Sequence, residues 1–197
     1  MTKNLLLPLL VIAPACVHAQ IFQNSDMYYL AGPSFASTQT IGNSGVTLYG
    51  APGYAWTWGF GHQFHRIGGA SLWFDIPLVF IIGSHETATI AGSVSLNSMM
   101  LVPGLRLMLP LAPRISVFAA AGGGGGFFSY PAIESSGPPL TTNDVNHGVL
   151  SFGGGVDFRL SRNFSLRLDF HDYLTGRNLN GVPGRNHLLP MVGFVFH

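Results

Sequence analysis

The sequence predicts an all-β fold, an eight-stranded antiparallel up-and-down transmembrane β-barrel, and three observations predict it. Charged residues make up only 9% of the 197 positions and hydrophobic residues 47%, against about 25% charge in an ordinary soluble domain. Past the N-terminus, no run reaches the roughly 18 consecutive apolar residues that a membrane helix needs. The apolar residues fall instead in short segments cut by Gly, Pro, Ser and Asn. A closed barrel is the other structure that pairs every backbone group in lipid without leaving a free edge.

The N-terminus has the layout of a secretory signal. Lys3 supplies the positive start, Leu5 to Ala15 the apolar core, and Val17-His18-Ala19 a small-residue cleavage site before Gln20. Residues 1–19 are therefore expected to be removed, leaving 20–197 as one barrel domain. Cys16 raises the question of a lipoprotein, but Ala13 and Pro14 sit poorly in a lipobox. Cleavage would remove Lys3 and Cys16, the sole Lys and the sole Cys. The remaining eight Arg and eight acids balance. Neutrality gives no support to nucleic-acid binding, which needs a clustered basic patch, and the loss of Cys excludes disulfides.

Strands are expected near 26–37, 53–65, 70–83, 97–109, 115–129, 148–160, 164–174 and 186–197. Most exceed the 9–11 or so residues of a tilted bilayer crossing. Connections near 66–69, 110–114 and 161–163 are short. Those near 38–52, 84–96, 130–147 and 175–185 are longer and rich in Gly, Ser, Thr, Asn and Pro. Short turns alternating with long loops are what a membrane barrel produces, and an even strand number puts both termini on the side of the short turns.

Alternation is clearest in two segments. Leu150, Phe152, Val156, Phe158 and Leu160 share one parity, and Ser151, Asp157 and Arg159 the other. Phe164, Leu166, Leu168 and Phe170 alternate with Ser165, Arg167 and Asp169. A soluble barrel turns the apolar parity inward and a membrane barrel turns it outward. With 9% charge there is too little to solvate an outside of eight strands. The small polar parity also suits a narrow interior filled by side chains. Aromatics near strand ends (Tyr28, Tyr29, Trp56, Trp58, Phe127, Phe128 and Tyr130) fit interfacial girdles.

Parity then places Asp75, Arg106, Asp157, Arg159, Arg167 and Asp169 in the lumen. Isolated charges there are costly and paired ones much less so. The three-residue turn Ser161-Arg162-Asn163 sets Leu160 against Phe164, so Arg159 should face Ser165, Asp157 face Arg167, and Gly155 face Asp169. An Asp157–Arg167 ion pair is expected, joined by Arg159 and Asp169 into a network; on the far side of the barrel, Asp75 and Arg106 lie at similar distances from their own short turns and are expected to pair with each other.

Other motifs carry less. Gly122–Gly126 lacks the Lys-Ser/Thr and the helix of a phosphate loop and reads more plainly as a strand where small residues permit close approach. His62 and His65 suit one helix face but opposite faces of a strand, which argues against a metal site. His171 with Ser165 or Asp169 has the residue types of a hydrolase, yet it points away from lipid. No cofactor is expected.

The stretch Phe152 to Thr175 with the closing Gly193-Phe194-Val195-Phe196-His197 resembles the outer-membrane β-barrel domain family, the small OmpA-like barrels. In that family a Gly-rich strand, a Ser-Arg turn and an Arg-x-Asp strand precede an aromatic C-terminal strand. The resemblance implies an outer-membrane location, outer-membrane lipid as the surrounding partner, and a C-terminal signal at Gly193, Phe194 and Phe196 read by the barrel-assembly machinery. His197 departs from the usual terminal aromatic. A monomeric, non-enzymatic protein that is structural or binds through its loops is expected. The rivals are a lipid-modifying barrel enzyme and a narrow pore or small-molecule binding barrel.

Overall fold

The computed structural model describes residues 24–41, 46–50, 52–88, 92–132, 141–176 and 184–197; the signal-peptide expectation for 1–19 lies outside them. The described elements are eleven strands: β1 (Ser25–Ala36), β2 (Gln39–Ile41), β3 (Val46–Gly50), β4 (Gly53–Ile67), β5 (Ala70–Ala88), β6 (Gly92–Leu101), β7 (Gly104–Ala112), β8 (Ile115–Ala132), β9 (Thr141–Arg159), β10 (Phe164–Thr175) and β11 (Asn186–Phe196). Eight staves form the wall. Each pairs antiparallel with its neighbour, β6 and β7 together make one stave, and β11 closes on β1 with Met27 opposite Phe196. No edge is left in the wall, which is what lipid requires of a sheet.

The expected staves stand, and the expected loops are shorter than composition indicated. β5 and β9 reach 19 residues and β8 reaches 18, so much of 84–96 and 130–147 is strand. Within 38–52, β2 and β3 form a small hairpin that extends β5. Polar strands beyond the bilayer keep their ladder bonds but lose the apolar parity that marks a strand in sequence.

The stave at 97–109 is interrupted at Val102 and Pro103, because Pro has no N–H to donate. There Val102 N–H donates to the Pro77 carbonyl at 3.2 Å, and Gly123 N–H donates to the Pro103 carbonyl at 3.0 Å. The facing wall is the glycine run of β8. A side chain on Gly122 would press on the carbonyls of Val102 and Pro103, and one on Gly124 on that of Leu101. The run therefore serves close backbone approach at the interrupted stave.

The turns on one end are tight. Gly68 takes φ of 59° in the two-residue β4–β5 connection, as a primed hairpin turn demands. Leu160 and Ser161 N–H both donate to the Phe164 carbonyl at 3.0 Å, which closes the β9–β10 turn. Asn24 and His197 lie at this turn end, and the longer connections at the other, the loop end.

Outward positions form an apolar belt: Tyr29, Trp58, Phe74, Leu105, Leu107, Leu150, Phe152, Leu168, Phe170, Val192 and Phe194 are all exposed. An exposed surface of this size is not compatible with water. It is the surface that bilayer hydrocarbon covers.

Candidate functional site

Among the described residues, chemistry-bearing side chains converge in the lumen. It divides into layers. At the turn end a vestibule of about 720 Å³ opens, lined by Gln63, Arg66, Ser71, Trp73, Ser116, Arg159, Ser165 and His197 among others. Beneath it lies a layer of charge, and toward the loop end an apolar plug.

The charged layer is built by register. β10 pairs with β9 so that Arg167 stands opposite Asp157, Ser165 opposite Arg159 and Asp169 opposite Gly155. Arg167 donates from Nε and Nη2 to the two oxygens of Asp157 at 2.7 and 2.8 Å. This is the two-pronged geometry at which guanidinium binds carboxylate best. Arg106, fully buried on β7, donates from Nη2 to both oxygens of Asp26 at 2.9 and 2.8 Å. Arg167 Nη2 also lies 3.8 Å from Asp26, so Asp26 links the two arginines. Both guanidiniums rest against aromatic faces. Arg106 lies 5.0 Å from the Trp73 ring centre, and Arg167 lies 4.7 Å from that of Phe118 and 4.9 Å from that of Tyr28. Contacts of this kind favour a desolvated cation.

Glycine makes room for this layer. A side chain at Gly61 would collide with Arg106 Nη2 and Asp26 Oδ1; at Gly59 it would collide with the Tyr28 ring, and at Gly155 with the Phe118 ring. Small residues on the inner face are the counterpart of large ones reaching across a narrow barrel.

The six residues singled out in sequence divide. Asp157 and Arg167 meet in register. Asp75 comes only to 3.9 Å from Arg106, whose hydrogen bonds go to Asp26. Arg159 does not join the network: it is exposed at the mouth and reaches the Arg162 carbonyl at 3.5 Å, because its position lies beyond the packed interior. Asp169 does not join it either. It accepts from His171 Nδ1 two residues along its own strand face. Asp26 carries no mark of the inner face in the sequence, because polar parity is what reveals that face and its parity mates are Tyr28 and Leu30. The C-terminal trio is placed as β-parity requires, Gly193 inward against the β1 backbone, and Phe194 and Phe196 outward.

The inner face is also less polar than the sixth and seventh expected strands implied. Leu30, Val79, Met100, Val102 and Leu189 are each no more than 1% exposed, and Phe128 is 2% exposed. With Ile81, Val149, Tyr173 and Met191 they fill the lumen on the loop side. Thr57, buried among them, donates its hydroxyl proton to Met191 Sδ at 3.3 Å, and His147, Arg185 and His187 are buried beyond them toward the loop end. Among the described residues, no cluster of His, Cys, Asp and Glu could hold a metal ion.

No family model matches the chain, and no curated protein matches it. Among solved structures, it is similar to Neisserial surface protein A, with a TM-score of 0.60 and 14% identity over 88% of this chain and 97% of that one. It is also similar to the outer membrane protein OprG from Pseudomonas aeruginosa, with a TM-score of 0.51 and 12% identity over 88% of this chain and 96% of that one. What is shared at such identities is the fold, that of a small outer-membrane barrel.

Proposed function

We propose that this chain is an outer-membrane barrel that neither catalyses nor conducts, and that serves the envelope as a structural element or through what its loop end binds. The observation that carries this reading is the filled lumen: a charge layer of paired groups stacked on an apolar plug whose central side chains are almost wholly inaccessible. An aqueous pathway needs polar lining along its whole length, and the plug interrupts it. In this reading residues 1–19 are a cleaved export signal, the turn end faces the periplasm, the loop end faces outward, and the protein works as a monomer. Phe194 and Phe196, with Gly193, would be the strand feature that the assembly machinery engages.

The lipid-modifying alternative would have to draw, among the described residues, on the Asp169–His171 pair. That pair is on the inner face, out of reach of a lipid acyl chain lying against the belt. The test has two arms. The purified barrel in planar bilayers is expected to give no unitary current steps, and lipid A mass spectra are expected to be the same with and without it. Regular conductance steps would establish the pore reading, and a shifted lipid A mass the enzymatic one.

A further inference from the structure

The vestibule at the turn end has an asymmetry that the barrel reading does not use. Arg66, Arg114 and Arg159 all line it and all are exposed. They arrive from three places. Arg66 comes from the end of β4, where the register shifts between Gln63 and His65 so that Arg66 stands opposite Ser71. Without that extra residue, strand parity would turn it to the outer face. Arg114 sits in the β7–β8 turn, and Arg159 ends β9. The last two are held side by side, since Arg159 N–H donates to the Arg114 carbonyl at 2.8 Å. Among the described residues no salt bridge engages any of the three. The one side-chain carboxylate among the lining residues, Asp157, is bound by Arg167.

Three guanidiniums without a carboxylate partner around one opening make it locally cationic, a setting that attracts an anion. Guanidinium pairs with carboxylate and phosphate through parallel hydrogen bonds. Three of them suit a phosphate monoester, which carries about 1.5 to 2 negative charges near neutral pH, better than a single carboxylate. The opening, at about 720 Å³, falls within the range of about 300–1,000 Å³ usual for small-molecule sites. Trp73, Met108, Pro110 and Pro113 give it an apolar wall, and Ser71, Ser116 and Gln63 give it uncharged polar groups. We propose that the turn-end vestibule is a binding site for a phosphate-bearing organic anion, gripped by Arg66, Arg114 and Arg159. The phosphate can come from a free solute or from an anionic phospholipid headgroup at the rim, whose phosphodiester offers guanidinium the same kind of oxygen acceptors with one negative charge. The site does not depend on which compartment the turn end faces.

The test uses glycerol 3-phosphate as the soluble probe, titrated calorimetrically into the full barrel in phosphatidylcholine nanodiscs and, separately, in nanodiscs containing phosphatidylglycerol. The comparison variant carries Arg66→Gln, Arg114→Gln and Arg159→Gln together. All three are exposed, and unchanged heat-modifiable migration checks that the variant folds; the single Arg114→Gln variant serves if it does not. Saturable one-to-one binding in phosphatidylcholine, weakened about tenfold or more in the variant, supports the site. If phosphatidylglycerol then abolishes probe binding to the unmodified barrel, the headgroup is the ligand; if binding persists, the ligand is a solute. Absence of saturable binding to the unmodified barrel in phosphatidylcholine overturns the proposal. Binding of equal strength to barrel and variant overturns it too.

Discussion

Asp26 accepts from Arg106 at 2.8 Å and lies 3.8 Å from Arg167, while Asp157 holds Arg167 by two bonds. Removing one member strands a buried charge, which costs about 3–5 kcal/mol, whereas removing a pair together is far milder. Asp157→Ala is therefore expected to destabilise more than Asp157→Ala with Arg167→Met, measured by urea titration of the barrel in vesicles. Simple additivity would show the two groups to be independent. Space at Gly61 is tested in the same assay. Gly61→Ala should cost about 1–3 kcal/mol by overpacking, because its new methyl meets Asp26 and Arg106. Gly69→Ala, which meets nothing within 4 Å, should stay within about 0.5 kcal/mol. At the mouth, the His197 imidazole shares a 2.8 Å hydrogen bond with the Ser165 hydroxyl. Burial lowers its pKa from the ordinary 6.5, against an opposing pull from Asp26. The unfolded chain then binds the proton more readily than the folded one. The small stability His197 contributes is present above about pH 6.5 and is lost as pH falls through its lowered value. NMR titration should find His197 protonating below an exposed histidine.

At the scale of the strand, Leu168 is exposed in the middle of β10 and should lie at mid-bilayer. Leu168→Arg is expected to cost about 2–4 kcal/mol in lipid, and unchanged stability would mean that the belt is not where hydrocarbon sits. Strand positions were legible wherever one face was apolar and the other polar. In β9 and β10 this was enough to set the register of Asp157 against Arg167. It was not enough in β5, where Ile76–Ile82 is apolar on both faces, one toward lipid and one toward the plug. Alternation vanishes there, so the apolar interior left no trace in parity. Polar extensions such as 84–88 and 141–147 were illegible for the opposite reason: they are strand, but their sequence carries no apolar parity to mark it. Arg66 illustrates a third limit. Its inward turn depends on the bulge beside Phe64, and one extra residue reverses every parity after it.

The whole molecule inverts a soluble protein on its outside and only partly inside. Its wall closes fully: β11 pairs with β1 in one register on both sides of a gap at Gly32–Ser34, where Pro33 and Pro190 face each other, while β10 pairs with β11 without a break. The interior is graded along the axis: open and cationic at the turn end, ion-paired below, hydrocarbon-like through the plug, and polar again at the loop end, where His147, Arg185 and His187 are buried. An eight-stranded wall leaves space only for side chains, so this grading is written in single residues. Asp26, Tyr28 and Leu30 descend through charged layer, aromatic layer and plug on one strand face.

Because Met27 stands opposite Phe196, the ring of staves has no privileged starting point, and the chain can be permuted. Joining Asn24 to His197 by a short linker and opening the chain between Ala132 and Thr141 leaves every ladder intact. Such a permutant is expected to refold in detergent to the same heat-modifiable form. In cells it separates two kinds of information held by one strand. If the assembly machinery reads Gly193, Phe194 and Phe196 as a terminus, the permutant will be exported but not inserted. If it reads them as part of a hairpin, insertion will proceed.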